Sequence, residues 1–107
     1  MGLDISFERR EKIFCPFCGE LVGSKTVEQC DSEGRMWYDM LEKVGYYTDD
    51  NIYKQSWYGK DMTLTPDQTI QFYDFVRNNK VFNHSFVVDL ITKARLNNDD
   101  VVINASW

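Results

Sequence analysis

Soft metal ligands are scarce in this chain. Its 107 residues hold one histidine and three cysteines. An odd number of cysteines, with Cys15 and Cys18 close together, argues against a disulfide scaffold and for a reducing compartment. The expected setting is cytoplasmic. Long apolar runs are also missing. No stretch nears the roughly 18 apolar residues of a membrane span, so no membrane partner is expected. The start, Met1 to Ser6, has neither the basic end nor the apolar run of a secretory signal. Positive charge is thin and scattered: 12 Lys and Arg stand against 17 Asp and Glu, for a net charge of −5. Non-specific DNA binding draws on clustered cations, so it is not expected here. An acidic surface suits a partner with a basic one. The phosphate-cradling glycine loop, the nucleophile elbow and the zinc-protease helix motif are absent as well. The expectation is a non-enzymatic protein.

What is present suffices for a core. Hydrophobic residues make up 43% and aromatics 15% of the chain. The length is near the commonest domain size, so residues 1–107 are expected to form one domain. A chain of this size does not need a metal in order to fold.

The densest motif is Cys15-Pro16-Phe17-Cys18-Gly19. Thiols at this spacing form a knuckle that points both sulfurs at one metal ion, and thiolates select zinc. A structural zinc needs four ligands. Cys30 and His84 are the only other soft donors, and with Cys15 and Cys18 they add up to a permissible Cys₃His set. The competing reading is a tight turn without metal. A redox role for the pair would ask for a helix starting at the motif, which Gly19 to Gly23 does not suggest.

Periodicity gives a coarse map. Leu3, Ile5 and Phe7 alternate with polar residues as a half-buried strand. A turn is expected at Arg9 to Glu11, with Lys12 to Phe14 running back to place the knuckle at a hairpin end. Residues 20–30 are mixed. Asp31 or Ser32 is the expected cap of a helix over 33–44, with Met36, Met40, Leu41 and Val44 as its stripe and Gly45 at C′. A short strand is expected at Ile52–Ser56. Thr65, Pro66 and Gln68 spell a capping box for a helix to about Asn78. Asn83 is the expected cap of a third helix near 84–96. Val101 to Trp107 alternates as a last strand, expected to pair with the first. The fold class is α+β: a small antiparallel or mixed sheet including the N- and C-terminal strands, with about three helices packed on it.

Residues 46–58 are rich in aromatics and lack helical period. Tyr46, Tyr47, Tyr53, Trp57 and Tyr58, with Arg35, Trp37 and Tyr38 on the preceding helix, are the candidate partner-binding set. Tyr and Trp bury much area at low entropic cost and are enriched at binding hot spots. They also stack on nucleobases and close small cores, and the sequence leaves all three readings open.

Met1-Gly2-Leu3-Asp4-Ile5, the single knuckle, Gly34-Arg35-x-Trp37-Tyr38 and Ile103-Asn104-Ala105-Ser106-Trp107 together resemble small uncharacterised proteins of bacteriophages and prophages. What the resemblance implies is context. Small acidic phage proteins often inhibit host machinery, including anti-CRISPR and other anti-defence proteins. The expected function is therefore a phage-type accessory protein that binds and inhibits or modifies a host protein complex. The alternatives are a protein that binds or sequesters a nucleotide and a zinc-knuckle module that contacts nucleic acid.

Overall fold

The computed structural model describes residues 3–47, 57 and 59–107. Strand β1 spans Asp4–Phe14, β2 Leu21–Glu33, helix α1 Trp37–Lys43, β3 Met62–Thr63, α2 Pro66–Asn78, α3 His84–Asn97 and β4 Asp100–Ser106. The strands form one antiparallel sheet in the order β2-β1-β4-β3. The first and last strands pair, as their alternation predicts, with Asp4 opposite Ser106 and Arg10 opposite Asp100. The architecture is α+β.

One face of the sheet is apolar. Leu3 just before β1, Ile5 and Phe7 of β1, and Val101, Ile103 and Ala105 of β4 are all at most 2% exposed. The helices cover this face. Trp37, Met40 and Leu41 come from α1, Phe72 and Val76 from α2, and Val87, Leu90, Ile91 and Ala94 from α3. The rings of Phe7, Trp37 and Phe72 meet at 5.3, 5.9 and 6.1 Å between centroids. Burial of these side chains at roughly 25 cal/mol per Å² drives the assembly.

The expected turn at Arg9–Glu11 does not form, and β1 runs straight through it. The charges are satisfied in the sheet instead. Arg9 pairs with Glu28 at 3.1 Å and Asp99 at 2.7 Å, and Arg10 with Glu8 at 2.6 Å and Asp61 at 3.1 Å. A register shift between Arg9 and Arg10 marks a bulge in the β1–β2 pairing. Periodicity cannot see such cross-strand pairs.

Helix α1 is shorter than predicted, because β2 continues to Glu33 and takes Asp31 and Ser32 into the sheet. Ser32 caps nothing. Its hydroxyl accepts from the Trp37 indole at 3.0 Å and donates to the Phe82 carbonyl at 2.6 Å. Gly45 follows the helix with φ of 81°, as its position predicts. The capping box of Thr65 and Gln68 is formed, with Pro66 opening α2. Asn83 precedes α3 in a left-handed conformation but does not cap it. Its amide donates instead to the Asp31 carbonyl at 2.7 Å. The strand expected at Ile52–Ser56 lies outside the described residues. The two-residue β3 was too short to read from sequence.

Candidate functional site

Sheet geometry separates the four proposed zinc ligands. Cys15 and Cys18 sit in the turn joining β1 to β2, whereas Cys30 pairs with Phe7. At about 3.3 Å per strand residue, the Phe7-to-Phe14 span puts Cys30 about 23 Å from the turn. His84 opens α3, which the Asn83–Asp31 hydrogen bond ties to the same distant part of β2. The Cys₃His set is therefore corrected: Cys30 and His84 cannot join Cys15 and Cys18 at one ion. Among the described residues, no group of three or more His, Cys, Asp or Glu side chains is placed to hold a metal.

The Cys15–Cys18 turn itself is compact. The Cys15 N–H donates to the Glu20 carbonyl at 2.7 Å, and the Gly19 N–H to the Cys15 carbonyl at 2.9 Å. Gly19 takes φ of 75°, which a side chain would disfavour. The backbone N–H groups of Cys18 and Phe17, then the Cys18 thiol, hydrogen-bond the Cys15 sulfur and lower its pKa. All three cysteines are free thiols. Cys30 is half-buried, and burial with Glu28 and Asp31 nearby pushes its thiol up to about 11. The turn is thus the place where two cysteines are brought together, whereas Cys30 packs against the core.

The turn stands at the end of an arm. Strand β4 pairs with β1 only as far as Arg10. Residues 11–14 and their partners from Leu21 to Lys25 continue as a two-stranded ribbon. Four residues at about 3.3 Å carry it about 13 Å past the sheet before the turn begins. Its side chains include exposed apolar groups: Phe14, Leu21 and Val22 are more than half exposed, and Phe17 at the tip is 96% exposed. Sequence reasoning did not single these residues out. The signal was the run Ile13-Phe14 and Leu21-Val22 flanking the motif, which reads equally well as core.

The aromatic candidates divide. Trp37 and Tyr46 are 0% and 1% exposed, so both are corrected from partner contacts to core residues. Trp37 is held by Ser32 and packed on Phe7, Phe72 and Phe75. Arg35 is exposed in the turn before α1. Tyr53 and Tyr58 lie outside the described residues. Tyr38 and Tyr47 do come together, around a residue the binding set omitted, and Trp57 joins them through Tyr46. Trp107, just past β4, meets Tyr47 at 5.0 Å, Tyr46 at 6.1 Å and Tyr38 at 6.5 Å. Tyr38 meets Tyr47 at 4.9 Å, and Tyr46 stacks on Trp57 at 6.2 Å. Tyr38, Tyr47 and Trp107 are half-buried and Trp57 is exposed. The alternation of β4, continued by one residue, was the signal for Trp107.

This corner is built on a polar anchor. The Tyr46 hydroxyl accepts from the Ala105 N–H at 2.8 Å and donates to the Lys60 carbonyl at 2.6 Å. Burial raises its pKa, against the smaller opposing effect of these backbone partners. On the opposite face of the sheet, Asp4, Asp31 and Glu33 line a shallow groove with Ser6, Asn104 and Phe82. No helix among the described residues is long and apolar enough to cross a membrane. No protein-family model, curated protein or solved structure matches this chain.

Proposed function

We propose that this chain is a non-enzymatic binding protein of phage type that docks on a host protein complex and inhibits or modifies it. The aromatic corner is its working surface. The observation that carries this reading is the convergence of Tyr38, Tyr47, Trp57 and Trp107, each partly accessible, around the buried Tyr46. Clustered Tyr and Trp are the composition of interface hot spots. The net charge of −5 favours a partner with a basic patch. A nucleotide ligand has less support. The Tyr38, Tyr47 and Trp107 rings meet edge to face at 61–85°, a packing that fills the spaces a base would enter. The acidic groove on the other face would repel phosphates.

The test is affinity-purification of the partner from cells of the host, followed by binding measurements on the purified pair. Tyr47→Ala and Trp57→Ala are compared with wild type, alongside the remote variant Leu96→Ala. At least one of the two aromatic truncations should weaken binding by about 2 kcal/mol, a typical hot-spot loss. A partner that binds both with unchanged affinity moves the working surface elsewhere. Binding of free nucleotide with no protein partner replaces this reading with the alternative one.

A further inference from the structure

The tip of the β1–β2 arm carries half of a tetrahedral thiolate site. Cys15 and Cys18 lie in one turn, closed by the bonds from the Cys15 N–H to the Glu20 carbonyl and from the Gly19 N–H to the Cys15 carbonyl. Zinc held structurally takes four ligands. This chain has no further soft donor that can reach the tip, because its one other cysteine and its one histidine are tied to the far part of β2. The turn also lies beyond the last β1–β4 pair, so among the described residues nothing blocks a second turn from approaching head-on.

We propose that two copies of this protein join tip to tip, with Cys15 and Cys18 of each copy supplying the four thiolates of one shared zinc ion. A two-fold axis through the metal makes the contact self-complementary, as a closed homodimer requires. The side chains around the ion fit a second copy. Phe17, 96% exposed, stands at the tip, with Phe14, Leu21 and Val22 beside it. In such a pair each apolar rim meets its own image and covers the metal from water. The contact is small. A stable interface without metal needs about 800 Å² from each partner, more than one narrow ribbon end offers, so association should depend on zinc. The proposal is independent of the aromatic corner, which lies at the other end of β1.

The experiment is light scattering coupled to size exclusion, with metal analysis, on reduced protein purified without added metal and then titrated with zinc. The expected result is a doubling of mass that saturates at one zinc per two chains and reverses with chelator. Cobalt(II) in place of zinc should give the visible spectrum of a tetrahedral tetrathiolate centre. Cys18→Ser should lose both dimer and metal, and Cys30→Ser should keep both. Circular dichroism should show the same helix and strand content, with and without chelator, for wild type and Cys18→Ser, because the tip touches none of the core. One zinc per monomer, a dimer that survives chelator or Cys18→Ser, or no zinc uptake by reduced wild type would each overturn the proposal.

Discussion

Tyr46→Phe removes one oxygen atom from the aromatic corner and leaves its shape intact, so the change isolates a hydrogen-bond contribution. The hydroxyl stands in for a strand. Beyond Ile103, β4 has lost its β3 neighbour, and Ala105 is served instead by the Gly59 N–H at 2.8 Å and the Tyr46 hydroxyl at 2.8 Å. Ala105 and Tyr46 are 0% and 1% exposed. Without the hydroxyl, the buried Ala105 N–H has no partner, which costs about 1–3 kcal/mol. The bond to the Lys60 carbonyl is also lost, at about 0.5–1 kcal/mol, since that residue is exposed and water can replace the donor. The expected loss is therefore about 1.5–4 kcal/mol of unfolding free energy, read from urea transitions at neutral pH. Tyr73→Phe serves as the reference, with an expected loss below about 0.5 kcal/mol, typical of a change that leaves no buried group unpaired. The pH dependence has a definite sign. Burial raises the folded pKa of Tyr46 above its ordinary value of 10.0. The stability this confers is fully present below pH 10 and is lost as pH rises through the folded pKa. The gap between wild type and Tyr46→Phe should accordingly narrow above pH 10. A loss below about 0.5 kcal/mol at neutral pH would refute the reasoning, because a stranded N–H in a dry sheet cannot be that cheap.

Arg9→Met should cost about 2 kcal/mol in the same urea assay. It strands the Asp99 carboxylate, whose side chain is 7% exposed and 2.7 Å from the guanidinium, in a setting less buried than those where a broken pair costs more; an unchanged midpoint would show that water already serves Asp99. Alkylation by iodoacetamide at pH 7.5, followed by mass spectrometry, should label Cys15 at least about tenfold faster than Cys30, because only the thiolate attacks and Cys30 is pushed up to about 11. Equal rates would mean that β2 opens readily at Cys30.

The sequence revealed best those elements whose signals are local. The α2 start is an example: Thr65 and Gln68 satisfy each other within one turn, so the capping box needs no tertiary information. The alternation of Leu3, Ile5 and Phe7 against that of Val101, Ile103 and Ala105 likewise gave both the strands and their pairing. The errors arose where distant groups decide. Arg9 and Arg10 read as a turn because their partners Glu28, Asp99 and Asp61 are far along the chain. Ser32 and Asn83 read as helix caps because capping is the commonest local use of such side chains, whereas here each binds across the fold. The metal set failed for a related reason. Composition supplied four soft donors, but only the β1–β2 register could show that a long hairpin holds Cys30 far from the turn. Tyr46 and Trp37 had the composition of anchors, and topology made them core.

Strand β1 links the two surfaces and fixes their separation. Its first residue, Asp4, pairs with Ser106, next to Trp107 and the aromatic corner, and its last, Phe14, leads into the Cys15–Cys18 turn. Ten steps at about 3.3 Å place these ends about 33 Å apart. A contact at the tip therefore leaves the corner open, and a contact at the corner leaves the tip open. Two chains joined at their tips would present two corners facing away from each other, at a spacing set by the lengths of two hairpins. Such a pair gains over a single chain only where a target displays two sites at matching distance, since effective concentration collapses when the geometry forbids simultaneous contact. The arm's length would then be a determinant of target choice, alongside the rings at the corner. Residues 11–14 and 21–25 extend beyond the part of β1 that β4 needs, yet they add exposed apolar surface. A two-stranded ribbon of that kind is marginal on its own in water. Burial of its tip against a second copy is a physical reason for the chain to carry it.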